Sequence, residues 1–187
     1  LRIKVRVRGI TPLLHNRMTE EEVLNLWLKP PKKAKSAPRP YATPRDAAEV
    51  RVHQVDGWPV IPVDALMKAL INAGVYERLD GKRQISTASS TALPGFLRIE
   101  DKVIKLFKKD GKTKSTWDTD IRQGRNPNGG EAVCIIRPRF DEWSFEFAIE
   151  IDTAQVSEET VRNLVDKARA WDDLCFMKRT MTGLKAG

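Results

Sequence analysis

Residues 2–8 alternate without exception, with Ile3, Val5 and Val7 on one side and Arg2, Lys4, Arg6 and Arg8 on the other. A period of two predicts a half-buried strand. A second strand of this kind covers 143–152, where Trp143, Phe145, Phe147, Ile149 and Ile151 alternate with Ser144, Glu146, Ala148, Glu150 and Asp152. Between the two the period changes. From Val63 the apolar residues fall at 63, 66, 67, 70 and 71, which is one face of a helix. Asp64 lies in its first turn, where a carboxylate favours the dipole, and Gly74 stands where a C′ residue belongs. Ahead of it, Asp56-Gly57 predicts a turn, and Pro59 and Pro62 keep the short apolar arm extended. Another helix starts at Ser157, an N-cap followed by Glu158 and Glu159, with Val156 placed to staple onto Val161. Its stripe is Val161, Leu164, Val165 and Ala168.

The remaining pattern is weaker. Thr19 to Leu28 predicts a helical piece capped by Thr19, with Glu20, Glu21 and Glu22 in the first turn and Val23, Leu24, Leu26, Trp27 and Leu28 as its apolar side. Phe96 to Ile99 and Val103 to Phe107 predict short strands, and Ala132 to Ile136 another, ending at Arg137-Pro138-Arg139. Ala47 to Val55 is expected to be a strand leading into the Asp56-Gly57 turn. Residues 29–45 interleave Lys29, Lys32, Lys33, Lys35, Arg39 and Arg45 with five prolines, which excludes a helix or a central strand and predicts an extended basic loop. Residues 117–132, with Gly124, Gly129 and Gly130, predict a long irregular insertion. After Trp171 only Leu174 to Met177 suggests a short strand.

With the insertions removed, the order is β-α-β-β-α-β. That is an α+β, ferredoxin-like (RRM-like) core, read as a single domain over residues 1–187 with large basic insertions at about 10–57 and 108–131. In that topology the first and third strands are neighbours. The outward basic row of the first strand then lies beside Glu146 and Glu150, so Lys4 and Arg6 are discounted as nucleic-acid ligands in favour of cross-strand pairing.

Composition sharpens this picture. The chain has 187 residues, 41% of them hydrophobic, enough for a core. No apolar run is long enough to span a membrane, and no signal peptide precedes the first strand, so no membrane partner is expected. Cys134 and Cys175 form neither a metal-spaced motif nor a disulfide framework, which suits a reducing, cytoplasmic setting. The net charge of +8 points to a polyanion, and the unpaired charge lies mostly in the insertions. There is no Ser-His-Asp order, Walker loop or zinc spacing, and no cofactor or metal is expected.

Three stretches resemble the RAMP proteins of CRISPR effector complexes, in particular their repeating backbone subunit. They are the first strand running into Gly9-Ile10-Thr11-Pro12-Leu13-Leu14-His15-Asn16, the extended arm and helix from Trp58 to Leu70, and the late aromatic strand with its amphipathic helix. The resemblance covers most of residues 1–170. It implies a ferredoxin-like fold with finger- and thumb-like insertions and a role in antiviral defence. Such a subunit polymerises along a guide RNA, with copies of itself, other effector subunits and a target nucleic acid as partners. The family's glycine-rich ending is missing, since Trp171 to Gly187 holds only Gly183 and Gly187.

The residues expected to meet RNA phosphates are Arg17, Lys32, Lys33, Lys35, Arg39, Arg45, Arg122, Arg125, Arg137 and Arg139, with Tyr41 and Trp117 as stacking groups. Trp117 could equally pin its insertion to the body. Some RAMP relatives cut RNA with a His or a loop Asp, which makes His15 and Asp46 weak catalytic candidates here. A lone His beside apolar residues is usually structural, and Asp46 suits a turn cap or an ion pair. A metal-independent endoribonuclease, or a mimic of the backbone subunit that binds protein partners, are the alternatives to the RNA-binding subunit.

Overall fold

The computed structural model describes residues 1–28, 41–79, 81–125, 130 and 132–168. In chain order the elements are β1 (Arg2–Arg8), β2 (Leu13–Leu14), α1 (Glu20–Leu28), α2 (Pro44–Glu49), β3 (Gln54–Val55), β4 (Trp58–Ile61), α3 (Val63–Ala73), β5 (Arg78–Leu79) and β6 (Arg83–Gln84). They continue with β7 (Leu97–Ile99), β8 (Ile104–Lys105), β9 (Asp118–Arg125), β10 (Ala132–Phe140), β11 (Ser144–Ile151) and α4 (Glu158–Ala168). The strands form small antiparallel sheets in the orders β1-β11-β7, β2-β10-β9, β3-β4-β8 and β5-β6.

β1 and β11 pair antiparallel along their whole length, so Ile3, Val5 and Val7 face Ile149, Phe147 and Phe145, all buried. Burying one such side chain contributes roughly 1.5–3 kcal/mol, so this row alone fixes the register. The opposite row is charged, and Arg6 pairs with Glu146 as expected, but Glu150 pairs with Arg98 of β7 rather than with β1, and Arg2 pairs with Glu100 at 2.7 Å. Lys4 stands opposite Ala148. α3 and α4 pack on each other. Leu66 and Leu70 of α3, and Val161 and Leu164 of α4, join the inward rows of β1 and β11 in one core. The Ser157 hydroxyl accepts the Thr160 N–H at 3.2 Å, the cap that starts α4.

Two close approaches explain glycines. A Cβ on Gly9 would lie 2.1 Å from the Trp143 ring, whose Nε1–H donates to the Thr11 carbonyl at 2.8 Å. Gly74, expected as a left-handed C′ residue, is right-handed (φ −62°). Its smallness matters instead, because a Cβ would meet Ser86 Oγ at 2.5 Å. Asp56 and Gly57 both have positive φ, 49° and 73°, and close the β3–β4 hairpin as a two-residue turn of the primed kind.

Several expectations are corrected. The six-element ferredoxin-like core is not seen as such: among the described residues there are three strands in order β1-β11-β7 with α3 and α4, and Leu174 to Met177 lies outside them. Pro44 to Glu49 is a helix, not loop and strand, because Thr43 and Asp46 form a capping box with Pro44 in the first turn. Residues 118–125, expected to be irregular, are a strand that pairs with β10 from Asp118↔Arg139 to Arg125↔Ala132. β10 itself runs on through Pro138 to Phe140. α1 forms where predicted, with Thr19 and Glu22 as its capping box, but it buries none of its residues.

Candidate nucleic-acid interface

The turn after β1 delivers His15 into the body. Its backbone N–H donates to the Pro138 carbonyl at 3.0 Å, and its Nδ1 accepts the His53 backbone N–H at 3.2 Å. The ring packs at 4.6 Å on Phe140 and edge-on at 5.3 Å to the His53 ring. Full burial, reinforced by the neighbouring His53, pushes its pKa down to about 3. A sealed imidazole that stays neutral has neither the access nor the basicity for general-base work. His15 ties the end of β2 to β10 and to the residue before β3.

Arg17, two residues on, is exposed and forms no ion pair among the described residues. It lies beside half-buried His53; burial first, and the Arg17 charge second, hold the His53 pKa below its usual value. Arg51 is not free in the same way, since it clamps Glu22 at 2.6 Å and ties α1 to the end of α2. Partial burial pushes the Glu22 carboxyl up, but hydrogen bonds from Arg51 and the Thr19 backbone outweigh it and hold the pKa below the usual range.

The two stacking candidates find other surroundings. Trp117 packs against the core, and the Arg45 guanidinium sits 4.5 Å over its ring, so two of the expected RNA contacts are each other's partner. Tyr41 lines a groove of about 430 Å³ together with Arg17 and with Glu20, Glu21 and Glu49, so a cation and carboxylates share its rim. Asp46 spends its carboxylate on the Thr43 N–H at 3.0 Å, as a helix cap.

The β9–β10 arm carries four more of the expected arginines. Its register places Arg122, Arg137 and Arg139 on one face, with Arg137 opposite Asp120 and Arg139 opposite Asp118. Arg122 pairs with Asp120 and Arg139 with Asp141, both at 2.7 Å. Much of that face's positive charge is therefore neutralised locally. Arg125, at the exposed end of β9, forms no ion pair among the described residues. Lys32, Lys33, Lys35 and Arg39 lie outside the described residues.

A further set of cations and aromatics escaped the sequence reading. Trp58 is only partly buried and is tilted against Phe107 at 5.5 Å. The Lys105 ammonium lies 5.1 Å over the Trp58 ring. The signal was present as five lysines in residues 105–114 against the single carboxylate of Asp110. Hydrogen bonds from the Thr113 hydroxyl and from the Lys112 and Thr113 backbone push the Asp110 pKa down to about 2, and the same bonds shape the turn.

Among the described residues there is no cluster of three His, Cys, Asp or Glu side chains able to hold a metal ion, and no helix long and apolar enough to cross a membrane. No protein-family model and no curated protein matches the sequence.

Proposed function

We propose that the protein is a sequence-tolerant RNA-binding subunit of the RAMP type, one that lines up with copies of itself along a guide RNA within an effector ribonucleoprotein. The observation that carries this reading is the placement of charge. On the sheet, Arg2, Arg6 and Arg98 are matched by Glu100, Glu146 and Glu150. Away from it, Arg17, Lys102 and Arg125 make no ion pair among the described residues, in a chain of net charge +8. Unpaired, exposed cations favour phosphate contacts that carry no sequence information.

The fold half of the reading is a ferredoxin-like βαββαβ core. β1, α3, β7, β11 and α4 follow one another in the order βαββα, and β1-β11-β7 is the first–third–second adjacency that such a core requires. The last strand of that core, expected at Leu174 to Met177, falls outside the described residues.

Purification before and after nuclease treatment tests the function. The expected result is RNA of uniform length in a large particle that nuclease disperses. A nucleic-acid-free monomer with no affinity for single-stranded RNA at low salt would overturn it.

A second reading, a module that binds protein partners, is favoured by α1. Val23, Leu24, Leu26, Trp27 and Leu28 are all more than half exposed, an apolar helix surface of the kind that marks interaction sites. Its expected signature is a stoichiometric complex that survives nuclease. The endoribonuclease reading finds no support in His15, which is sealed, or in Asp46, which is engaged as a cap.

A further inference from the structure

The β3-β4-β8 sheet has one face in the core and one outside. Ile61 and Ile104 face each other on the inner side, 2% and 1% exposed. Side chains alternate along strands, so the register fixes the outer set. Val55 is opposite Trp58, Val60 is opposite Lys105, and the Val60 N–H donates to the His53 carbonyl at 2.8 Å. The outer face therefore holds His53, just before β3, with Val55 of β3, Trp58 and the 7% exposed Val60 of β4, and Lys105 of β8 with Phe107 just after it. It is apolar and aromatic in the middle and cationic at both ends.

At one end a depression of about 290 Å³ lies over Val60, rimmed by Arg17, His53 and Lys102, with no carboxylate in its lining. At the other end Trp58 leans on Phe107 under the Lys105 ammonium, and the lysine-rich turn follows. Trp58 is two residues along β4 from Val60, about 7 Å at the rise of a strand. An aromatic and a cationic depression at that spacing match a base and its neighbouring phosphate.

We propose that this outer face is a platform for single-stranded RNA, with a base stacked on Trp58 and the flanking phosphates held by Lys105 on one side and by Arg17, His53 and Lys102 on the other. The inference rests on the RNA-binding reading and names its site, which shares only Arg17 with the residues picked out by sequence. Lys105 covers Trp58 in the free protein. A flexible lysine over a half-buried ring at the surface is a weak contact, weaker than base stacking, so an incoming base displaces it and leaves the ammonium for a phosphate. Duplex RNA is excluded because its bases are not free to stack.

The test is fluorescence anisotropy of the full chain with a labelled oligouridylate, over a salt series, with duplex RNA and single-stranded DNA of equal length as further probes. Trp58→Ala is expected to weaken binding about tenfold without changing the salt slope. Lys102→Gln with Lys105→Gln, both exposed positions, is expected to shallow that slope by roughly 1.4, two phosphate contacts on a single strand. Unchanged affinity and slope in the lysine double variant, while the wild type binds, would overturn the platform and leave the RNA-binding reading standing. Wild type that binds no RNA overturns both. Equal binding of duplex and single strand would also overturn the platform. Binding of single-stranded DNA with the same loss in Trp58→Ala supports the platform and broadens its ligand to either single strand.

Discussion

Acidifying the solution from neutral to about pH 5 is expected to destabilise the fold mainly through one side chain, His15. Its imidazole is 0% exposed, and burial first, then the neighbouring His53, push its pKa down to about 3 from an ordinary 6.5. In the unfolded chain the same ring takes up a proton as the pH falls through about 6.5. In the folded protein it stays neutral down to about 3. Between those values the unfolded state binds more protons, so stability is complete above pH 6.5 and falls with pH below it. One proton costs about 1.4 kcal/mol per pH unit, so roughly 2 kcal/mol is lost by pH 5. His53, also shifted down, acts in the same direction but is partly exposed and contributes less. The carboxylates held below their usual range, Glu22, Asp110 and Asp152, lose their contribution only below about pH 4.5, so the window from 5 to 6.5 belongs to the two histidines. Urea unfolding at fixed ionic strength across that window measures the slope. His15→Gln keeps an acceptor for the His53 N–H but cannot titrate, and its slope should shrink to what His53 leaves. A wild type whose stability is flat from pH 7 to 5, or a variant that retains the full slope, would refute this account of His15.

Gly9→Ala drives a methyl into the Trp143 indole and should cost about 1–3 kcal/mol in urea unfolding, as overpacking does. Thr43→Ala removes the side-chain half of the α2 capping box and should cost about 1 kcal/mol, read most directly as faster hydrogen exchange in residues 44–49. Arg6→Gln breaks a pair whose side chains are 63% and 48% exposed. It should change stability by less than about 1 kcal/mol and leave RNA affinity alone. A large loss of affinity would place the outward row of β1 in the interface. Trp27 is 83% exposed, so Trp27→Ser should shift folding stability by no more than about 0.5 kcal/mol while abolishing any protein complex that uses α1.

What could be read from the chain follows from what each element buries. β1 and β11 each have one face in the core, so every second residue is apolar and the pattern is unbroken. α4 announces itself by Ser157 and by a stripe that is entirely buried. β9 has little to bury: Ile121 is 55% exposed, its polar residues fall on both faces, and no alternation results. α2 was hidden because Pro44 reads as a breaker, although in the first turn of a helix the missing N–H is no loss. α1 shows the opposite failure. Its apolar residues predict the helix correctly, but periodicity records only that a stripe exists, not that this chain covers it.

Charge was the least transferable signal, for a reason visible in the β9–β10 arm. Arg122 and Arg139 look like free cations when cations alone are counted, yet each pairs with an aspartate two residues away, Asp120 and Asp141, and the register sets Arg137 opposite Asp120. Arg45 was likewise expected to be free but is stacked on Trp117, a residue 72 positions away. Lys102 was passed over in the turn between β7 and β8, and Lys105 because it precedes the lysine-rich turn in a two-residue strand. The β4–β8 pairing sets Lys105 over Trp58, and the fold brings Lys102 to the depression shared by Arg17 and His53. Counting cations along a chain therefore overstates the strands that carry their own carboxylates and understates the faces assembled from distant ones. The lysine double variant and Arg6→Gln belong to those two classes, and a shallower salt slope of RNA binding in the first with an unchanged slope in the second is what this division of the charge requires.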